Sequence, residues 1–250
     1  MSPRILISND DGYDAPGIRV LIDALEPLGD VWVVAPDAEQ SAASHSLTLR
    51  RPIEVIQVSD RRFRVTGTPT DCVVLAQQVI LDRKPDLVVS GINHGPNMGE
   101  DVHYSGTVAA AFEGAILSVP AIAISALQRS VADAEINGRF ARSVVESALE
   151  RGLPAKTLLN VNIPNPEISE IKGLRITKLG SRSYEDFIDP PAGEGLQSHY
   201  TIGGKAPVWR EDDGSDIAAV RMGYVSVTPL HLDLTDYRAF VDMERWRFEL

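Results

Sequence analysis

The sequence predicts an α/β protein: a doubly wound, mostly parallel, Rossmann-like sheet with a C-terminal β-rich elaboration. Two observations carry this. Short runs of branched apolar residues recur as buried strands, and helical patterns alternate with them through the first two thirds of the chain. Beyond about residue 165 the alternation stops, and Gly, Pro and Asp dominate a long stretch without clear periodicity.

Taken in order, Ile5-Leu6-Ile7-Ser8 is the first strand, and it breaks into Asn9-Asp10-Asp11-Gly12. Ile18, Leu21, Ile22 and Leu25 at helical spacing predict a helix over 17–28, ended by Gly29-Asp30. Val31 to Ala35 is the second buried strand, running through Pro36-Asp37 into a polar loop over 38–46. Segments 47–58 and 62–65 read as two paired strands around a turn near Ser59-Asp60. Thr68-Pro69-Thr70-Asp71 is a helix start, with Pro in the first turn and Asp at the positive end of the dipole. A helix over 72–81 leads to a third buried strand over 87–90. A long loop over 91–107 follows, rich in Gly and Asn, and loops of that length in compact domains are usually functional or disordered. It feeds a small-residue helix over 108–117, a strand over 121–125, a helix over 133–151 and a strand over 158–163. Further strands are expected over 173–179 and 224–229. Residues 1–167 are read as the α/β core, and 168–250 as an elaboration of the same unit that covers the site or joins subunits.

Of 250 residues, 44% are hydrophobic and 24% charged, the balance of an ordinary globular protein. The formal net charge of −11 argues against a chain devoted to nucleic-acid polymers or anionic membranes. Cys72 is the single cysteine, which excludes an intrachain disulfide and a thiolate zinc cluster and points to a reducing compartment. Met1-Ser2-Pro3-Arg4 runs straight into the first strand, and 109–127 is interrupted by Glu113 and Pro120. The expectation is a cytoplasmic protein with neither signal peptide nor membrane span.

Three strand ends carry hard oxygen groups: Asp10 and Asp11 after the first, Ser41 after the second, Asn93 after the third. In open α/β sheets the crevice beyond the carboxyl ends of the strands is where ligands bind. Carboxylate, hydroxyl and amide oxygens suit Mg²⁺, Mn²⁺ or Ca²⁺. Each residue alone also reads as a turn or cap residue, and the shared position after successive strands is what sets the group apart. Ser105-Gly106-Thr107 opens a predicted helix, so its free backbone N–H groups form a seat for phosphate, or Ser105 is simply an N-cap. Asn97, Asp101 and Tyr104 either line that seat or fill the loop. His94 and His103 lie in the same loop as candidate acids or substrate contacts, or as solvated side chains. The dinucleotide fingerprint, the P-loop and the nucleophile elbow are all missing from the sequence.

Several motifs occur together and in a fixed order: Ser8-Asn9-Asp10-Asp11-Gly12 with Ala15-Pro16-Gly17, Ala35-Pro36-Asp37 with Ser41, Gly67-Thr68-Pro69-Thr70-Asp71-Cys72, and Ser90-Gly91-Ile92-Asn93 through Ser105-Gly106-Thr107. With Gly223-Tyr224-Val225-Ser226-Val227-Thr228-Pro229-Leu230, they closely resemble the SurE family, the stationary-phase survival proteins that are metal-dependent 5′-nucleotidases. The resemblance implies hydrolysis of nucleoside 5′-monophosphates, with 3′-monophosphates and short polyphosphate as further substrates. It implies one divalent cation per subunit, Mg²⁺ or Mn²⁺, held by Asp10, Asp11, Ser41 and Asn93. Phosphate would sit on Ser105, Gly106, Thr107 and Asn97, and either a water or Asp10 or Asp11 would attack phosphorus. A homodimer or homotetramer that exchanges a C-terminal segment is implied as well. Two other readings are a non-catalytic nucleotide-binding protein and a phosphoesterase for non-nucleotide metabolites. The sequence departs from the family pattern in its second loop, where Glu39 stands in place of a basic residue and Ala42 in place of Gly. An acidic residue there would disfavour highly anionic polyphosphate.

Overall fold

β1 (Arg4–Ser8) is buried at all five positions, as a strand covered on both faces must be. In the computed structural model, which describes residues 2–127, 134–165, 171–183, 188–189, 201–202, 208–210 and 212–247, it is the fourth strand of a nine-stranded sheet. β2 (Asp30–Pro36) and β5 (Leu87–His94) flank it in parallel, with Ile5 opposite Val31 on one side and Ile7 opposite Val89 on the other. β4 (Arg62–Val65) extends the parallel run beyond β2, and β3 (Val55–Ser59) closes that edge antiparallel. Beyond β5 come β6 (Ala121–Ala126) and β7 (Thr157–Ile163), both parallel to it. The chain therefore runs outward from β1 on one side and returns to fill the other. That puts the topological switch point between β1 and β5.

Alternation along β1 builds two cores. Ile5 and Ile7 pack with Ile18, Leu21 and Leu25 of α1 (Pro16–Leu25) and with Ala141, Val144 and Val145 of α4 (Ala134–Arg151). Leu6 faces the opposite layer, with Cys72 and Val73 of α2 (Pro69–Leu75) and Val108, Ala110 and Ala111 of α3 (Gly106–Ile116). Each large aliphatic chain so buried contributes roughly 1.5–3 kcal/mol. α3 is small-residued because it lies close to the sheet: a Cβ on Gly114 would fall 2.9 Å from the side chain of Val88.

The alternation predicted from sequence holds, with two differences. Residues 47–54 are not strand. Pro52 interrupts them, Arg50 has a positive φ of 61°, and the Thr48 amide is taken by the Asp71 carboxylate at 3.0 Å. The third buried strand also runs past Ser90 to His94, so Asn93 belongs to β5 and not to a loop.

The C-terminal part adds strands to the same sheet. β13 (Val225–His231) pairs antiparallel with β7, and β8 (Leu174–Ile176) pairs parallel with β13. β9 (Ser181–Ser183) pairs with β12 (Val208–Arg210), and β10 (Ile188–Asp189) with β11 (Thr201–Ile202), as two small ribbons. α5 (Asp216–Arg221) packs beside β13, and α6 (Tyr237–Met243) is the last helix among the described residues. The predicted helix start at Asp133, the boundary placed at 167/168 and much of the stretch 184–207 lie outside the described residues.

Candidate functional site

The first strand ends in a tight turn. The Asn9 side chain donates to the Gly12 carbonyl at 2.8 Å, and Gly12 takes a φ of +99° that a side chain would strain. This turn leaves Asp10 only 4% exposed. The Thr107 hydroxyl and backbone N–H both donate to its carboxylate. Burial pushes the Asp10 carboxyl up to about 6; the neighbouring charge of Asp11 adds to the rise, and Thr107 opposes it. Asp11 is more open, and its carboxyl is also raised, first by burial and further by the charge of Glu39. The His94 backbone N–H, 3.1 Å from Asp11 Oδ2, and the His94 ring act in the other direction.

The neighbouring strand ends converge on this pair. The Gln40 amide donates to the Asp10 carbonyl at 2.7 Å, binding the loop after β2 to the turn after β1. Ser41 follows at the surface, where its hydroxyl donates to Glu39 at 2.6 Å. Against β6, β5 takes three steps from Ser90 to Asn93 where its partner takes two, a bulge that re-aims Asn93. Asn93 donates its amide nitrogen to the Gly95 carbonyl at 2.8 Å, which leaves its oxygen for the crevice. The Gly91–Ile92 peptide within this bulge is cis. Gly17 allows α1 to approach it, since a Cβ there would stand 1.9 Å from the Ile92 carbonyl oxygen.

At the start of α3 the N-cap reading of Ser105 holds, its hydroxyl accepting from Val108 N at 3.1 Å. Thr107 is turned to Asp10, and a Cβ on Gly106 would lie 2.8 Å from that of Asp10. The positive end of the helix thus faces the carboxylate directly, with the Gly106 amide remaining as a donor. Asn97 is buried: its side chain donates to the Ser125 hydroxyl at 2.8 Å, and its backbone N–H to Asn162 at 2.8 Å. Its carbonyl accepts from Asn160 and Asn162 at 2.8 and 3.0 Å.

Sequence reasoning missed Asn160 and Asn162, although two Asn two apart in an apolar strand put polar groups on one buried face. It also missed Asp216 and Arg182, which reach this loop from the C-terminal part. Of the two loop histidines, the His94 ring lies near Asp11, while His103 is exposed and gives its carbonyl to the Ser44 hydroxyl at 2.6 Å.

A hard cation fits the donors present. Among the described residues no Lys or Arg is paired with Asp10 or Asp11, and none supplies a hydrogen-bond partner to the buried Asn9 Oδ1 beside them. Among the described residues no three His, Cys, Asp or Glu side chains form a metal cluster, so a cation here would need the hydroxyl and amide oxygens too.

The family model for survival protein SurE matches residues 5–186. The chain is 50% identical to the 5′-nucleotidase SurE of Myxococcus xanthus, covering 98% of this chain and 94% of that one. It is 51% identical to the 5′-nucleotidase SurE of Gemmatimonas aurantiaca, covering 93% and 94%. The crystal structure of the SurE protein from Aquifex aeolicus superposes with a TM-score of 0.86 at 46% identity, over 97% of this chain and 98% of that one. With matches of this extent to sequence and to fold, the chain belongs to the SurE family.

Proposed function

We propose that this chain is a divalent-cation-dependent phosphatase that hydrolyses nucleoside 5′-monophosphates, with 3′-monophosphates and short polyphosphate as lesser substrates. One observation carries the reading. Two adjacent carboxylates, both raised by burial, Asp10 further by Asp11 and Asp11 further by Glu39, stand at the switch point with no Lys or Arg paired to them among the described residues. They do so in a chain whose relatives bear the name 5′-nucleotidase.

Asp10, Asp11, Ser41 and Asn93 would hold one Mg²⁺ or Mn²⁺ per subunit. The cation, when bound, supplies charge that polarises the phosphoryl oxygens and lowers the pKa of water. The other tasks fall to the protein. Thr107 fixes one Asp10 oxygen, which suits a carboxylate that ligates better than one that must swing to attack phosphorus. The Gly106 amide and the positive end of α3 face the anionic group where charge develops. The loop after β2 is pinned over the crevice, Ser44 N donating to the Tyr104 carbonyl at 3.1 Å and His45 meeting the buried Glu113 at 2.9 Å.

A homodimer or homotetramer with C-terminal exchange belongs to the same proposal. α6 buries none of its residues, and Leu234 and Tyr237 are 82% and 64% exposed. An apolar segment left on its own surface is what a second copy would cover. No helix among the described residues is long and apolar enough to cross a membrane, and the buried lone Cys72 suits a reducing, cytoplasmic setting.

The test is phosphate release from the four common nucleoside 5′-monophosphates with Mg²⁺ or Mn²⁺, repeated with excess chelator and with Asp10→Asn. Cation-dependent release that the variant loses is the expected result. Equal rates on simple phosphosugars would remove the nucleotidase label, and binding without turnover would leave a nucleotide-binding protein.

A further inference from the structure

The loop between β5 and α3 carries the residues proposed to seat phosphate. The parallel core holds it at Asn97 and, through Ser44, at His103 and Tyr104, and the stretch 99–101 between these is held from the C-terminal part. Asp216, at the first position of α5, is fully buried. One of its oxygens accepts from Gly180 N and Ile217 N, each at 2.8 Å, and the other accepts from Gly99 N at 3.0 Å. The contact is backbone against backbone. Gly99 has a φ of +54°, a Cβ on it would lie 2.9 Å from the Gly180 carbonyl oxygen, and one on Gly180 would lie 2.5 Å from Ile217. Met98 packs with Ile217 and Val220 beside this junction.

Two residues further on, the hold is repeated. The Arg182 backbone N–H donates to Glu100 at 2.6 Å, and its guanidinium pairs with Asp101 while both side chains are largely buried, 17% and 13% exposed. The Asp101 carbonyl in turn accepts from Ser105 N at 3.2 Å. Asp216 and Arg182 thereby set where Gly99 and Asp101 lie, and Asp101 sets where the cap of α3 begins.

We propose that Asp216 is a positioning residue for the phosphate end of the substrate: with Arg182 it holds, through Gly99 and Asp101, the turn that delivers Ser105, Gly106 and Thr107. This rests on the reading of the first turn of α3 as the phosphate seat. A carboxylate facing N–H groups from three chain segments is poorly replaced by an amide, whose own N–H₂ must face one of them. Displacing a donor turn by a fraction of an ångström weakens phosphate binding before it alters the attacking group.

The experiment measures kcat and KM for AMP, and the inhibition constant of inorganic phosphate, on the full chain with saturating Mg²⁺. Thermal unfolding of the same samples is recorded beside them. For Asp216→Asn, KM and the phosphate constant rise together by about tenfold, the equivalent of one weakened charge-assisted hydrogen bond, while kcat moves much less. Arg182→Gln shows the same pattern more weakly, and Arg182→Lys recovers part of it. A merely stabilising residue would give a lower unfolding temperature and a lower apparent kcat at unchanged KM and phosphate constant. That result overturns the proposal. Should Asp216→Asn not fold, Arg182→Gln decides by the same two constants. Loss of turnover in Asp10→Asn with unchanged constants in both clamp variants overturns the positioning role alone, whereas turnover retained by Asp10→Asn overturns the site reading beneath it.

Discussion

The two edges of one sheet treat their carboxylates in opposite ways. At the amino edge, where β1, β2 and β5 begin, Arg4 reaches Asp30 at 3.1 Å and pairs with Asp82, and its backbone N–H donates to Asp86 at 2.7 Å. Arg61 joins Asp30, Arg83 joins Asp86 at 3.0 Å, and Trp32 lies beneath the Arg4 guanidinium while donating to Asp30 at 3.1 Å. Burial alone would raise the Asp30 carboxyl, but the hydrogen bonds from Trp32 and Arg4 and the charges of Arg61 and Arg4 take it below its ordinary value. The Arg4 amide does the same for Asp86, ahead of Arg83. At the carboxyl edge, Asp10 and Asp11 have no such partners among the described residues and are raised. The difference is one of completeness. The amino edge neutralises itself and contributes stability, whereas the carboxyl edge is short of positive charge and is completed by what binds there.

The sharpest break in that comparison is Asp10→Asn. Removing a carboxylate proposed to hold the cation should forfeit several kcal/mol of transition-state stabilisation, so kcat/KM on AMP is expected to fall by about 10³-fold or more. The same substitution removes one of two adjacent like charges, so the cation-free protein unfolds at no lower temperature than the parent. Addition of Mg²⁺ then raises the unfolding temperature of the parent and not of the variant. A variant that is both inactive and markedly less stable without cation would mean that Asp10 belongs with the structural carboxylates of the other edge.

Arg4→Met makes the converse break, in stability and not in turnover. It strips the cation from Asp30 and Asp82 and should cost about 1–3 kcal/mol in urea unfolding, less than a fully buried pair because Asp82 is exposed. At neutral pH kcat/KM stays the same. The pH dependence has a definite sign. The Asp30 carboxyl is lowered in the folded chain, so its stabilisation is fully present above the unfolded carboxylate value near 4 and is lost as pH falls below that. The parent therefore loses stability steeply below about pH 4, and Arg4→Met flattens that slope. An unchanged slope would show that Asp30 is held by Arg61 and Trp32 without Arg4.

Asp10 and Asp11 are legible in the sequence because the period of a buried strand shows where it stops, and what stands at the stop is polar, whereas Asn93, read as following the third strand, lies inside β5 beyond its bulge. The amino-edge network is not legible, since Arg4, Asp30, Asp82 and Asp86 are charged residues at ordinary strand and helix boundaries. Only the parallel register, Arg4 opposite Asp30, brings them together. Residues 47–54 mislead for a related reason. Their apolar residues suggest a strand, but the Thr48 amide goes to Asp71, and the Glu54 amide to the Thr66 hydroxyl at 2.9 Å, leaving no ladder to join. The supports of the loop before α3 come from still further away. Asn160 and Asn162 act across more than sixty residues and Asp216 across 117, beyond the reach of local pattern.

Thr107→Val gives a smaller effect that sharpens the carboxyl side. It keeps the shape of the buried side chain and removes the hydroxyl bond to Asp10, leaving the backbone N–H. Groups that orient a ligating carboxylate are commonly worth about 10–100-fold in cation affinity or activity. The cation concentration giving half-maximal rate should rise within that range, with kcat at saturating cation largely recovered. A fall in kcat that excess Mg²⁺ does not relieve would give Thr107 a part in holding the substrate.

Glu39 is the finest adjustment of the same imbalance. It adds a further carboxylate beside the pair, exposed at the surface and near enough to Asp11 to raise it. Its one hydrogen-bond partner in the loop is the Ser41 hydroxyl. An exposed charge acts on the approach of charged substrates more than on bound ones, and salt screens it over about 10 Å. Glu39→Gln should therefore raise kcat/KM for short polyphosphate by about two- to fivefold and for AMP by less, with both gains shrinking as salt is added. If both substrates gain equally and salt has no influence, Glu39 acts through Ser41, by releasing its hydroxyl to the cation, and not through the field at the mouth of the crevice. A rise in cation affinity without any change in substrate ranking would point the same way, and the preference for monophosphates would then lie in the shape of the crevice.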